Sequence, residues 1–124
     1  MRILSGKLKG SKLLTNEAKI KSSKNFITRP TSVRVKETLF NIIQHAFNID
    51  FNQLSFLDCF SGSGAVGLEA ISRGSSVVSF LDNDPFSCRC IKKNLNNLRL
   101  YENNNGRSFS VINKGFNLYF EILF

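Results

Sequence analysis

The sequence predicts an α/β domain built on a parallel sheet, and three observations predict it. Short apolar runs, "LSFLD", "SVVSFLD" and "SFSVI", are separated by stretches of helical periodicity. Strands alternating with helices form parallel sheets with right-handed crossovers. The first run ends in Asp58 and enters a turn in which Gly62, Gly64 and Gly67 spell G-x-G-x-x-G, and a second acid, Asp82, closes the next run. That pattern marks a strand-to-helix turn at which backbone meets a nucleotide-like ligand.

The elements follow in order. Residues 2–14 read as two short strands around Gly6 or Gly10, with Lys7 and Lys9 on one face and Leu8 on the other. Residues 15–28 have no clean period and read as a mobile basic loop. "RPTS" then starts a helix: Pro30 biases Arg29 to an extended backbone, and Thr31 or Ser32 caps the first turn. Val35, Leu39, Ile42, Ile43, Ala46 and Phe47 form one apolar stripe at helical spacing. The stripe is expected to dock on the body, leaving Arg34 and Lys36 on the exposed flank. "LSFLD" reads as a buried strand. Ala65 to Arg73 reads as a helix that stops at Gly74. After the second strand, Asp84 caps a helix with Pro85 at its first position and Cys88, Ile91, Leu95 and Leu98 on its apolar face. "NLNNLRLYENNN" reads as a polar loop, "SFSVI" as the third strand, and "FNLYFEILF" is apolar without a resolvable period.

The totals exclude several classes. A chain of 124 residues that is 42% apolar is one domain with one core. No apolar run reaches the length of a membrane span, and "MRILSGKLKG" lacks the features of a secretory signal. Cys59, Cys88 and Cys90 make neither an even disulfide framework nor a C-x-x-C pair, and His45 is the single histidine. The expectation is a cytoplasmic, reduced, metal-free monomer. The net charge of +8 is local. Residues 1–40 hold ten Lys and Arg against Glu17 and Glu37, while the remainder is balanced. A basic front end on a neutral body suits a polyanionic partner.

Three readings of the glycine loop compete. It is a tight turn that holds nothing, but three spaced glycines cost chain entropy unless backbone must approach something. It holds a dinucleotide, but Asp58 then stands beside a pyrophosphate and repels it. Or it holds S-adenosylmethionine, which has a cationic amino-acid end, an adenosine and no phosphate. Asp58 then lies near the ammonium group, the loop N–H groups meet the carboxylate, and Asp82 accepts both ribose hydroxyls. The third reading is preferred.

Four segments together resemble the RsmD family, bacterial 16S rRNA (guanine-N2)-methyltransferases: "MRILSGKLKGSKL", "TRPTSVRVKETLFNII", "FLDCFSGSGAVGLEAISRG" and "VVSFLDND". The resemblance implies a Rossmann-like class I SAM-dependent methyltransferase fold, incomplete at the C-terminus, with a basic N-terminal extension. It implies cofactor binding at Asp58, Phe60, Gly62, Ser63, Gly64 and Asp82. RNA contacts fall on Arg29, Pro30, Thr31, Ser32 and Arg34, to which the basic pattern adds Lys7, Lys9 and Lys12. The chain departs from the family pattern in three places. Val33 and Gly115 stand where acids are usual, and the Asp/Asn-Pro-Pro-Tyr/Phe motif is missing, since Pro30 and Pro85 are the only prolines. "DNDPFS" is no substitute, because Asp followed by Pro is an ordinary helix start.

The expected organisation is a basic RNA-binding extension over 1–30 and a partial methyltransferase domain over 31–124. The expected function is methyl transfer from S-adenosylmethionine to the N2 amine of a guanine in 16S rRNA or the small ribosomal subunit, with no catalytic residue assigned and no metal or membrane partner. The alternative is an inactive, truncated remnant that binds RNA. The apolar ending "YFEILF" fits an interrupted domain.

Overall fold

A computed structural model describes residues 1–15, 32–101 and 106–117. Three parallel strands, β1 (Ser55–Asp58), β2 (Val77–Asp82) and β3 (Ser108–Asn113), form a sheet in the order β1-β2-β3. Helix α1 (Val33–Asn41) precedes β1, α2 (Ala65–Ser72) joins β1 to β2, and α3 (Pro85–Asn97) joins β2 to β3. Helix α3 begins as its sequence dictates: the Asp84 carboxylate accepts the Phe86 N–H at 3.0 Å, and Pro85 occupies the first turn. It runs through Asn94–Asn97, so the polar stretch that reads as a loop starts later than expected. Residues 102–105 of that stretch and 118–124 of the apolar ending lie outside the described residues.

The register puts Phe56, Val78, Phe80, Phe109 and Val111 on one sheet face, and they pack with Phe40, Leu68, Ile91 and Leu95 as the core. The opposite face is only partly open among the described residues: Leu57 and Val77 are exposed and the Ser79 and Ser110 hydroxyls meet at 3.2 Å, whereas Leu81 on the same face is fully buried. The sequence predicts a buried first strand, but among the described residues β1 is an edge strand with exposed Ser55 and Leu57.

Two expectations about the front end are corrected. Residues 2–14 form no pair of strands. They make a single antiparallel bridge, Arg2 to Lys12, around a turn with positive φ at Gly6 and Gly10. Lys7 and Lys9 lie in this turn and are exposed, while Leu8 packs on the core. The turn sits so tightly on α2 that a Cβ on Gly6 would lie 2.0 Å from the Ser72 carbonyl oxygen.

Of the expected apolar stripe of the first helix, Ile43 packs on the core but most of the rest does not dock. Val35, Leu39, Ile42 and Phe47 are exposed, whereas Lys36 and Phe40 are fully buried. The helix is rotated so that positions 36, 40 and 43 face the body, and it loosens into a π turn over Ile42–Ala46 that changes the phase of the later residues. Phe40 stacks on Phe56 of β1, with ring centroids 6.1 Å apart. Lys36, expected on the exposed flank, is drawn inward by Glu69 of α2, whose carboxylate lies 3.6 Å from its ammonium.

Candidate functional site

The loop from Cys59 to Gly64 crosses the carboxyl ends of β1 and β2, and its own backbone and Ser61 shape it. Ser61 is buried. Its hydroxyl donates to the Asp58 carbonyl at 2.8 Å and accepts the Leu81 N–H at 3.0 Å, and its N–H donates to the Leu81 carbonyl at 3.1 Å. These bonds clip the end of β1 to β2. The Gly64 N–H donates to the Ser61 carbonyl at 2.7 Å, turning the chain into α2 with Gly64 at the cap in a left-handed conformation.

The three glycines do different work. Gly67 is a packing glycine, since a Cβ there would lie 2.3 Å from the Phe80 ring. Gly64 combines a positive φ of 84° with a Cβ position 3.0 Å from Ile91. Gly62 has φ 53°, and nothing lies within 4 Å of where its Cβ would be. Only Gly62 opens onto free space, so that is where the loop leaves room for a ligand.

Two carboxylates face the loop. Asp82 accepts the Gly62 N–H through Oδ2 at 2.8 Å and the Asp84 N–H through Oδ1 at 2.9 Å. Each oxygen keeps a lone pair for a further donor, which is what a sugar diol needs. Asp58, the last residue of β1, has its Oδ2 buried with no hydrogen-bond partner. Burial pushes its carboxyl above the ordinary carboxylate range, the amides of Gly67 and Phe60 oppose the shift, and the neighbouring charge of Asp82 adds to it. A buried carboxylate oxygen lacking a donor is costly. A cationic N–H donor would relieve it, and a phosphate would aggravate it. The residues present therefore fit a ligand with an ammonium end and a ribose, and fit a pyrophosphate badly.

Of the expected cofactor residues, Asp58, Phe60, Gly62, Ser63, Gly64 and Asp82 all lie on this loop and the two strand ends. The Phe60 ring is 80% exposed and stacks on Phe116, which follows β3. Ser63 contributes its carbonyl, which accepts from Asn94 Nδ2 at 3.2 Å. Of the expected RNA contacts, Lys7, Lys9, Lys12 and Arg34 are exposed. Ser32 is exposed and is the cap of α1, its hydroxyl accepting the Val35 N–H at 3.2 Å. Arg29, Pro30 and Thr31 lie outside the described residues. All three cysteines are free thiols pushed upward by burial, which leaves them protonated.

Three residues that hold the site in place escaped the sequence reading. Glu69 accepts the Leu4 and Ser5 N–H groups at 2.9 and 3.0 Å, and Arg73 Nε at 3.1 Å. Ser72 accepts the Leu8 N–H at 2.9 Å and donates to the Ser5 carbonyl at 2.5 Å. Asn94 accepts the Leu14 N–H at 2.8 Å while its amide donates to the carbonyls of Leu14 and Ser63. All three are buried polar side chains on helices, and the only available signal was a polar residue on an otherwise apolar face.

A family model described as conserved hypothetical protein 95 matches residues 1–121. The chain belongs to that family, the RsmD family of the resemblance above. The chain is 40% identical over 101 residues to ribosomal RNA small subunit methyltransferase D of Haemophilus influenzae, a match covering 80% of this chain and 46% of the relative. It is 36% identical over 99 residues to the protein of the same name from Escherichia coli K12, covering 80% and 44%. A solved structure of a hypothetical protein from Thermus thermophilus superimposes on 98% of this chain and 60% of its own length, with TM-score 0.71 and 29% identity. The chain spans about half the length of the curated relatives it matches. The fold is an incomplete Rossmann-like methyltransferase fold.

Proposed function

We propose that this chain forms the S-adenosylmethionine-binding part of an rRNA methyltransferase that modifies the N2 amine of a guanine in 16S rRNA, with the basic front end holding the RNA. One observation carries the cofactor half: the unpartnered buried oxygen of Asp58 at the end of β1, one strand away from the Asp82 carboxylate that holds the Gly62 amide. Bound S-adenosylmethionine would supply an electrophilic sulfonium methyl. The chain's own residues bind and orient. Asp58 meets the ammonium, Gly62 leaves the approach open, and Asp82 accepts the ribose hydroxyls. Lys7, Lys9, Lys12, Ser32 and Arg34 lie where RNA phosphates can reach them; Arg29 and Thr31 belong to the same proposed contact set by sequence. No residue is assigned to the chemical step.

The likeness to two proteins named as ribosomal RNA small subunit methyltransferase D supports the rRNA substrate. Calorimetry of the purified chain with S-adenosylmethionine, NADH as control, and Asp82→Ala as the variant tests the cofactor reading. Saturable binding of S-adenosylmethionine alone, lost on the substitution, is the expected result. Binding of NADH in its place would overturn the cofactor, and binding of neither would leave an RNA-binding domain.

A further inference from the structure

The last residues of the three strands, Asp58, Asp82 and Asn113, lie at one end of the sheet, with Asp82 in the middle and paired in register with Asn113. Phe60 follows the first outer strand by two residues and Phe116 follows the other by three. Their rings stack across the end of the middle strand, with centroids 5.7 Å apart and planes 26° apart. Phe60 is 80% exposed and Phe116 38% exposed. A pair serving only to stabilise the fold would be buried, because aromatic side chains contribute mainly through the area they remove from water. This pair keeps much of its surface in water at the mouth of the crevice.

We propose that Phe60 and Phe116 clamp the nucleobase of the nucleoside whose ribose Asp82 holds. The inference rests on the cofactor reading above and adds Phe116, which no motif singles out. A ribose bonded to Asp82 has its base one glycosidic bond away, and the Gly62 amide at 2.8 Å fixes Asp82 beside the loop that carries Phe60. A purine entering there meets the two rings in contact and replaces one ring–ring contact with ring–base contacts. Every base has a π face, so stacking holds it without hydrogen-bond readout. That accounts for a crevice with Gly115, which has no side-chain acceptor, just ahead of Phe116.

Calorimetry with S-adenosylmethionine on the wild type, Phe116→Ala and Phe116→Tyr tests the clamp. The alanine variant is expected to bind about ten-fold more weakly and the tyrosine variant within about two-fold of wild type, as stacking on an aromatic face requires. Phe116→Trp supplies a second readout, because the chain has no other tryptophan: its emission should fall in proportion to site occupancy. Undiminished binding by Phe116→Ala, or a tryptophan signal indifferent to saturating ligand, overturns the clamp while the cofactor reading stands. Loss of RNA affinity with cofactor affinity intact would also overturn it, placing an RNA base on the rings. Absence of binding by the wild type removes the cofactor reading and the clamp with it.

Discussion

Glu69 of α2 and Lys36 of α1 lie 3.6 Å apart, carboxylate to ammonium, with both side chains fully buried. The same carboxylate accepts two N–H groups from the N-terminal turn and one from Arg73, and Lys36 Nζ donates to the Arg2 carbonyl at 3.3 Å. One anion on the helix that follows the glycine loop therefore fixes both parts of the basic front end described here. Asn94 makes the parallel connection on α3, joining Leu14 to Ser63 of the loop itself. The proposed RNA-holding and cofactor-holding parts share buried polar anchors and cannot shift independently.

Removing the anion should cost more than removing the cation. Burial lowers the pKa of Lys36, and the nearby Glu69 charge is the main effect opposing it. Glu69→Gln leaves a buried ammonium without a counter-ion, and about 3–5 kcal/mol of stability should be lost. Lys36→Met removes the buried charge while Glu69 keeps Arg73 and two backbone amides, so its loss should be well below that. Urea unfolding of the two variants gives the order directly, and equal losses would mean that the carboxylate is not the organising group.

Asp58 should make the folded chain less stable as pH rises. Its folded pKa is raised, mainly by burial, above the unfolded value near 3.8. Between the two values the folded state binds more protons, so stability falls through that window and the loss is complete above the folded pKa. Asp58→Asn lacks this loss. The melting temperature of the variant should therefore gain on the wild type as pH rises through the unfolded value and then level off above the folded one. A difference that does not change with pH would show the carboxyl to be unperturbed.

Gly62 and Gly67 should separate by readout. Gly67→Ala drives a methyl to 2.3 Å from the Phe80 ring inside the core, an overpacking that costs about 1–3 kcal/mol. Gly62→Ala meets no atom, and its positive φ costs about 1–2 kcal/mol for an L-residue. The new methyl would, however, stand in the proposed ligand space. Thermal melting should rank Gly67→Ala as the equal or greater loss, while titration with S-adenosylmethionine should show the larger loss of affinity in Gly62→Ala.

What the sequence could and could not reveal follows from the range of the forces involved. Local signals were legible. Asp84 with Pro85 starts α3, Gly74 follows the end of α2, and the apolar runs give β2 and β3 close to their observed bounds. The glycine spacing with Asp58 and Asp82 located the loop, because each of these residues acts within a few residues of the turn or across one strand pair. The face of α1 was not legible. Its apolar stripe is the longer and more regular one, yet Phe40 and a paired lysine turn inward because Glu69, more than thirty residues away in sequence, supplies the counter-charge. The two short strands expected over residues 2–14 failed for the same kind of reason, since Glu69 and Ser72 take N–H groups that a ladder would have used. The meeting of Phe60 with Phe116 depends on β3 lying beside β2, which no local pattern encodes.

The basic front end should bind rRNA through its exposed cations alone. Lys7, Lys9, Lys12 and Arg34 are exposed, and Lys36 is sequestered against Glu69. Each phosphate contact releases counterions, so alanine at Lys7, Lys9, Lys12 or Arg34 should flatten the dependence of log affinity on log salt by about one unit. Lys36→Met lowers the formal charge by the same amount and should leave the slope unchanged, because its ammonium faces a carboxylate and a backbone carbonyl instead of solvent. Filter binding to a 16S rRNA fragment across a salt series measures both. A slope that followed formal charge irrespective of position would mean that the front end acts as a diffuse positive field, and a slope near zero would remove it as the RNA-holding surface.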